Sequence, residues 1–152
     1  QFRDEFFHQA RLMKLDEMTS PESSELLSTR LWRRYAAHAL GLLEDIRHEP
    51  RMAEVLIEGA EYIRCELHYA ARREMIVHLE DFLRRRSKIA QIAKRETLRN
   101  APGMFEACRI LFGPDAARQF ESYFGVPPSE AVKRDSLPPE NSDPTAPLPA
   151  EQ

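Results

Sequence analysis

Hydrophobic positions along this chain recur at helical spacing, and no segment alternates apolar and polar residues over a useful length. A first helix is predicted over 3–17. Phe2, Phe6, Ala10 and Met13 fall on one side, Phe7 at its rim, and Leu12 and Leu15 elsewhere. It should end before Thr19-Ser20-Pro21, because a residue preceding proline avoids the helical region. A second helix, over 29–47, has the clearest core face: Leu31, Trp32, Tyr35, Ala39, Leu42, Leu43 and Ile46 share an arc of about 120°. Ser28 or Thr29 is its expected N-cap, and Pro50 lies beyond its end.

A short third helix is expected over 51–58, stopped by Gly59. Glu61–Ala71 has helical spacing, but Tyr62, Ile63 and Tyr69 also suit an extended segment, so helix and irregular structure both remain open there. A fifth segment, 79–97, places Leu79, Phe82, Leu83, Ile89, Ala90 and Ala93 on one face. Two short helices close the body, 103–112 after Pro102 and 115–124 ending at Gly125, with Gly113-Pro114 between them as a hairpin turn. The expected fold is all-α, a compact orthogonal bundle of about five to seven helices.

One charge disturbs that pattern. Arg86 projects near the centre of the apolar face of 79–97, while Asp81, Arg84 and Lys88 project away. A guanidinium aimed at a core must be paired. Glu74 and Glu66 are the nearest upstream carboxylates; the alternative is a joint with another domain, across which Arg86 pairs.

Composition divides the chain near residue 125. All 13 aromatic residues lie in 1–125, whereas seven of the 11 prolines lie in 126–152. The body, 1–125, carries 20 basic and 20 acidic residues; the tail, 126–152, has a net charge of −3 and is expected to be disordered or polyproline-like. A neutral body argues against a dedicated nucleic-acid binder. Seven basic residues in 84–99 against Glu96 alone could meet anionic lipid, but a solvated, ion-paired face such as Asp81 to Arg85 is the plainer reading. No apolar run is long enough to span a membrane, and the charged, amphipathic start has no signal-peptide core. The Gln1 start suggests a piece of a longer chain, and two well-separated cysteines suggest a reducing, cytoplasmic setting.

Candidate chemistry is sparse. The five glycines are isolated and form neither GxGxxG nor GxxxxGK[ST]. No HExxH and no zinc-spaced cysteine pair occurs. His68 and His78 with Glu66 and Glu74 could in principle gather around a metal, and Cys65 beside Arg64 could be a reactive thiol; half-buried helical histidines and a buried structural cysteine are the simpler readings. The serines of TSPESSELLST are first of all turn and cap residues.

The stretch EYIRCELHYAARREMIVHLEDFLRRRSKI, 61–89, resembles the C-terminal helical domain of FAD-dependent glycerol-3-phosphate dehydrogenases. Glu66, Tyr69 and Glu74 match an acidic residue, a tyrosine and a closing glutamate of that family; Asp81, Leu83, Arg85, Arg86 and Ser87 match its following D-x-L-x-R-R-S segment. TRLWRRYAAHALGLLEDIRHEP is similar to the preceding family helix, and the likeness is good over 29–112. Phe82 and the third arginine, Arg84, depart from the pattern. The resemblance implies a parent that oxidises sn-glycerol 3-phosphate to dihydroxyacetone phosphate, passing electrons through FAD to a quinone or similar acceptor. It implies a protein peripheral on the cytoplasmic face of the inner membrane, with FAD and substrate held by an N-terminal domain of the same chain. This piece would then be a non-catalytic cap that binds no cofactor or metal itself. Its structural or interdomain residues would be Glu74, Asp81, Arg85 and Arg86. An anionic membrane surface, reached through the parent, and a homodimer are further partners compatible with it. The competing reading is a free-standing interaction module that uses the basic helix or the Pro-rich tail.

Overall fold

A computed structural model describes residues 1–57, 59–73, 76–86, 89 and 94–129, with backbone only at 85 and 86. The described residues are helical, with no strand and a single antiparallel bridge, Val55 to Ile63. Helix α1 covers Phe2–Leu12, α2 Leu27–Tyr35, α3 Ala39–His48, α4 Arg64–Arg73, α5 Arg95–Arg99, α6 Met104–Phe112 and α7 Ala116–Phe124. The all-α expectation therefore holds.

Several boundaries move, each for a local reason. Helix α1 stops at Leu12 because Lys14 adopts a left-handed conformation. A 3-10 turn, Leu15–Met18, then carries Leu15 into the core instead of leaving it off the helical stripe. The predicted helix over 29–47 is two helices. Ala36, at φ 48° and ψ −125°, ends α2, and a 3-10 turn over Ala36–His38 leads into α3. The expected Ser28 or Thr29 cap is replaced from a distance. Thr19 Oγ1 accepts from the Leu27 N–H at 3.0 Å, and the two carboxylate oxygens of Asp16 accept from the N–H and hydroxyl of Ser28, each at 2.9 Å. These bonds satisfy the first free amides of α2, which its N-cap residue Leu26 cannot do.

The expected helix over 51–58 is a 3-10 turn, Pro50–Ala53, followed by the extended residue Val55. The open reading of Glu61–Ala71 resolves into both alternatives: Ile63 pairs with Val55, and α4 begins at the next residue. Over 79–97, Leu79 and Glu80 lead into a π-helical turn, Asp81–Arg86, and Lys94 is extended before α5 starts anew. Leu79, Phe82, Leu83 and Ile89 are buried as expected; Ala90 and Ala93 lie outside the described residues. The hairpin of α6 and α7 forms as read, with Gly125 at φ 78° closing α7. Most of the predicted tail, from Glu130 on, lies outside the described residues.

The buried side chains form two clusters. One gathers Phe6 and Ala10 of α1, Leu27 and Leu31 of α2, and Leu42, Leu43 and Ile46 of α3, with Trp32 and Phe7 packed against it. The other gathers Leu79, Phe82 and Leu83 with the apolar faces of α6 and α7. Helix α4 is their common wall: Cys65 belongs to the first cluster, Leu67 and Ala70 to the second. It packs on α3 and on α6. Just before α6 the backbone crosses Leu56 so closely that a Cβ on Gly103 would lie 1.6 Å from the Leu56 carbonyl oxygen.

Candidate functional site

The side chains with the most unusual environment meet on the buried flank of α4. Glu66 is 0% exposed. One of its carboxylate oxygens accepts from Arg30 Nη2 at 2.7 Å; the other accepts from Arg34 Nη1 at 2.7 Å and from the Tyr35 hydroxyl at 2.9 Å. Arg30 and Arg34 stand one helical turn apart on α2 and so point the same way. Their side chains are 3% and 20% exposed. Arg34 is fixed further by the Glu61 carbonyl at 2.8 Å and by the Tyr62 ring, whose centroid lies 4.4 Å from its guanidinium carbon.

Two guanidiniums on one buried carboxylate make a charge-assisted clamp between α2 and α4. Burial, the largest single effect, would lower the Arg34 value, but the Glu66 charge and hydrogen bond together with the Tyr62 and Tyr35 hydroxyls outweigh it and hold the guanidinium above its usual range. Burial, and then the Glu66 carboxylate, push the Tyr35 hydroxyl well above the ordinary phenol range. Tyr35 therefore donates to Glu66 as a neutral phenol. Three donors on the carboxylate leave it unsuited to a metal.

Three further carboxylates brace the same region. Glu61, at φ 52°, accepts through Oε1 from the Ser23 hydroxyl at 3.0 Å and from the Ser24 N–H and hydroxyl at 2.8 and 3.0 Å. The Ser24 N–H, backed by both hydroxyls, holds the Glu61 carboxyl below its usual value against the opposing effect of burial. This bond set ties the loop before α2 to the segment before α4. Arg64 reaches Glu106 on α6 and, at 3.2 Å, Glu54, so α4 is clamped on both sides.

The residues singled out from the sequence are placed differently. Glu74 and the side chains of Arg85 and Arg86 lie outside the described residues. Asp81 Oδ2 accepts from the His78 N–H at 3.1 Å, tying down the start of its own turn. Glu66, one of the two carboxylates considered for Arg86, is engaged by Arg30, Arg34 and Tyr35. The buried arginine that the described residues show is Arg30, which the reading of the 29–47 face passed over. The signal was present as arginines at 30 and 34, one turn apart on α2 and flanking the buried Leu27 and Leu31.

The alternatives of metal and thiol chemistry also meet the structure. Among the described residues, no three His, Cys, Asp or Glu gather as a metal site. His68 is half-buried, and burial followed by the charges of Arg72 and Arg64 lowers its imidazole. Burial and the neighbouring Glu66 and Asp45 charges push the Cys65 thiol far up, and burial raises Cys108 to about 12. Both are poor nucleophiles in the folded chain. Among the described residues, no helix is long and apolar enough to cross a membrane.

No curated protein and no solved structure shows significant similarity to the chain. The model of one protein family, the C-terminal domain of alpha-glycerophosphate oxidase, matches residues 8–119, which hold every member of the clamp. That span extends beyond the 29–112 of the sequence resemblance and takes in α1 from His8 onward. The chain thus belongs to the family of C-terminal domains of alpha-glycerophosphate oxidases, within the FAD-dependent oxidoreductases.

Proposed function

We propose that this chain is the structural cap of an enzyme that oxidises sn-glycerol 3-phosphate to dihydroxyacetone phosphate, and that it supplies no reacting group to that reaction. The family match over 8–119 carries the reading. The clamp supports it, because the most buried charged groups, Glu66 and Arg30, are engaged with each other. The described residues offer a flavin no dinucleotide cradle. Gly113 and Gly125 end helices, and no strand leads into a glycine turn among the described residues. In this reading FAD, which would accept the two electrons of the alcohol, is held by the N-terminal catalytic part of the same polypeptide. No step of the reaction is assigned to residues of this chain. A quinone as final acceptor and a position on the cytoplasmic membrane face belong to the same reading.

Anaerobic addition of sn-glycerol 3-phosphate to the purified full-length parent tests it. The expected result is bleaching of the flavin absorbance, with stoichiometric dihydroxyacetone phosphate and recovery of colour on adding a quinone. Recovery only with dioxygen would overturn the quinone assignment. A flavin that stays oxidised would overturn the substrate assignment. Stoichiometric flavin or turnover in the purified 152-residue chain alone would overturn the role as a cap.

A further inference from the structure

We infer that a concavity between α3 and α4 is a binding site for a phosphate group. Its walls follow from helical spacing. His38, Gly41 and Asp45 lie at i, i+3 and i+7 along α3 and its entry turn; Tyr69, Arg72 and Arg73 lie at i, i+3 and i+4 on α4. The two faces enclose about 340 Å³. Arg72 Nη2 is 3.9 Å from Asp45 Oδ2, too far for a hydrogen bond, and Arg73 makes no ion pair among the described residues. Arg72, Arg73 and Asp45 together bring one net positive charge to the site.

The donors suit phosphate better than a carboxylate. Two guanidinium forks, a phenol hydroxyl and an imidazole offer more bonds than two carboxylate oxygens can take, whereas a phosphate presents three or four oxygens. The volume leaves room for the rest of a small phosphomonoester. The floor is firm: the Tyr69 ring packs edge-on against Tyr35, at 4.9 Å between centroids, and Tyr35 is held by Glu66.

Gly41 is the independent observation. It lies inside α3, where glycine weakens a helix by roughly 1 kcal/mol relative to alanine. Neither a positive φ nor a close neighbour calls for it, since a Cβ there would meet nothing within 4 Å. It lines the concavity from the α3 side, where a side chain longer than a methyl would enter space that is now open. The inference is independent of the reaction proposed above, because every residue it uses is on this chain and none of them is assigned to that reaction.

The test is an NMR titration of the purified chain with inorganic phosphate, ionic strength held constant with chloride. It is paired with pelleting on phosphatidylcholine vesicles with and without phosphatidic acid. The expected result is saturable shifts confined to His38, Gly41, Tyr69 and their neighbours, with Kd near or below about 1 mM. Arg72→Gln/Arg73→Gln should weaken binding at least tenfold, and Gly41→Leu, which fills the wall while favouring the helix, should abolish it with no loss in melting temperature. Saturation by free phosphate identifies a soluble phosphomonoester as the ligand class. Binding only to phosphatidic-acid vesicles, lost in the double variant, identifies a lipid phosphate. Linear shifts spread over the surface, or binding unchanged in Gly41→Leu and the double variant, would overturn the inference.

Discussion

Glu66→Gln is the most direct test of what holds the domain together. The substitution keeps size and one acceptor oxygen but removes the charge and turns an amide toward two guanidiniums already within 2.7 Å. Arg30 cannot recover by moving to solvent, because its side chain is 3% exposed and its Nε already lacks a partner among the described residues. Removing one partner of a buried ion pair typically costs about 3–5 kcal/mol, since it leaves the other charge stranded. In a helical body of this size, that corresponds to a fall in melting temperature of roughly 10–20 °C. Urea and thermal melts followed by circular dichroism would measure it, with Glu121→Gln on the exposed face of α7 as a control near zero. The cycle with Arg30→Met separates stranding from loss of attraction. Once the cation is gone, the added cost of Glu66→Gln should shrink by at least about 1 kcal/mol. A single-variant loss below about 1 kcal/mol, or strictly additive effects, would refute the clamp as a source of stability.

Other substitutions probe other links. Gly103→Ala should destabilise by about 2–3 kcal/mol or more in urea titration, because the new Cβ would lie 1.6 Å from a carbonyl oxygen that only a backbone shift can clear. Ala36→Gly should instead raise stability by up to about 1 kcal/mol, by relieving φ 48° and ψ −125° at the end of α2; a loss would show that the turn is unstrained. Glu61 has a lowered value in the folded chain, so its contribution is present above the unfolded value near 4.5 and fades as pH falls through the lower folded value. The stability–pH profile of Glu61→Gln should accordingly be flatter than wild type below about pH 4.5 and parallel above it; parallel profiles throughout would remove Glu61 as a contributor.

The sequence conveyed helices wherever punctuation and periodicity agreed. Pro102, Gly113-Pro114 and Gly125 bracket α6 and α7, and both form as read. Where the chain turns without such punctuation, local reading failed. Nothing in Tyr35-Ala36-Ala37-His38 disfavours a helix, so only tertiary packing separates α2 from α3. Met52 to Ile57 has helical spacing, but Val55 is drawn into the bridge with Ile63 and the chain beside it goes extended. The cap of α2 was hidden for a related reason, since Asp16 and Thr19 supply it across an intervening loop. The clamp was half legible. Glu66 stood among the carboxylates considered for Arg86, whose side chain lies outside the described residues, and the partners that Glu66 shows are Arg30, Arg34 and Tyr35 on α2. A ranking by apolar stripe treats arginine as surface and so overlooks a polar side that is buried too.

Helix α4 has a consequence for how the molecule comes apart. Because Cys65 serves one cluster and Leu67 and Ala70 the other, neither half can melt while leaving α4 in place. Backbone amides near Leu67 should therefore exchange with deuterium only through global opening, and the N- and C-terminal halves should lose structure in a single transition rather than as separate foldons.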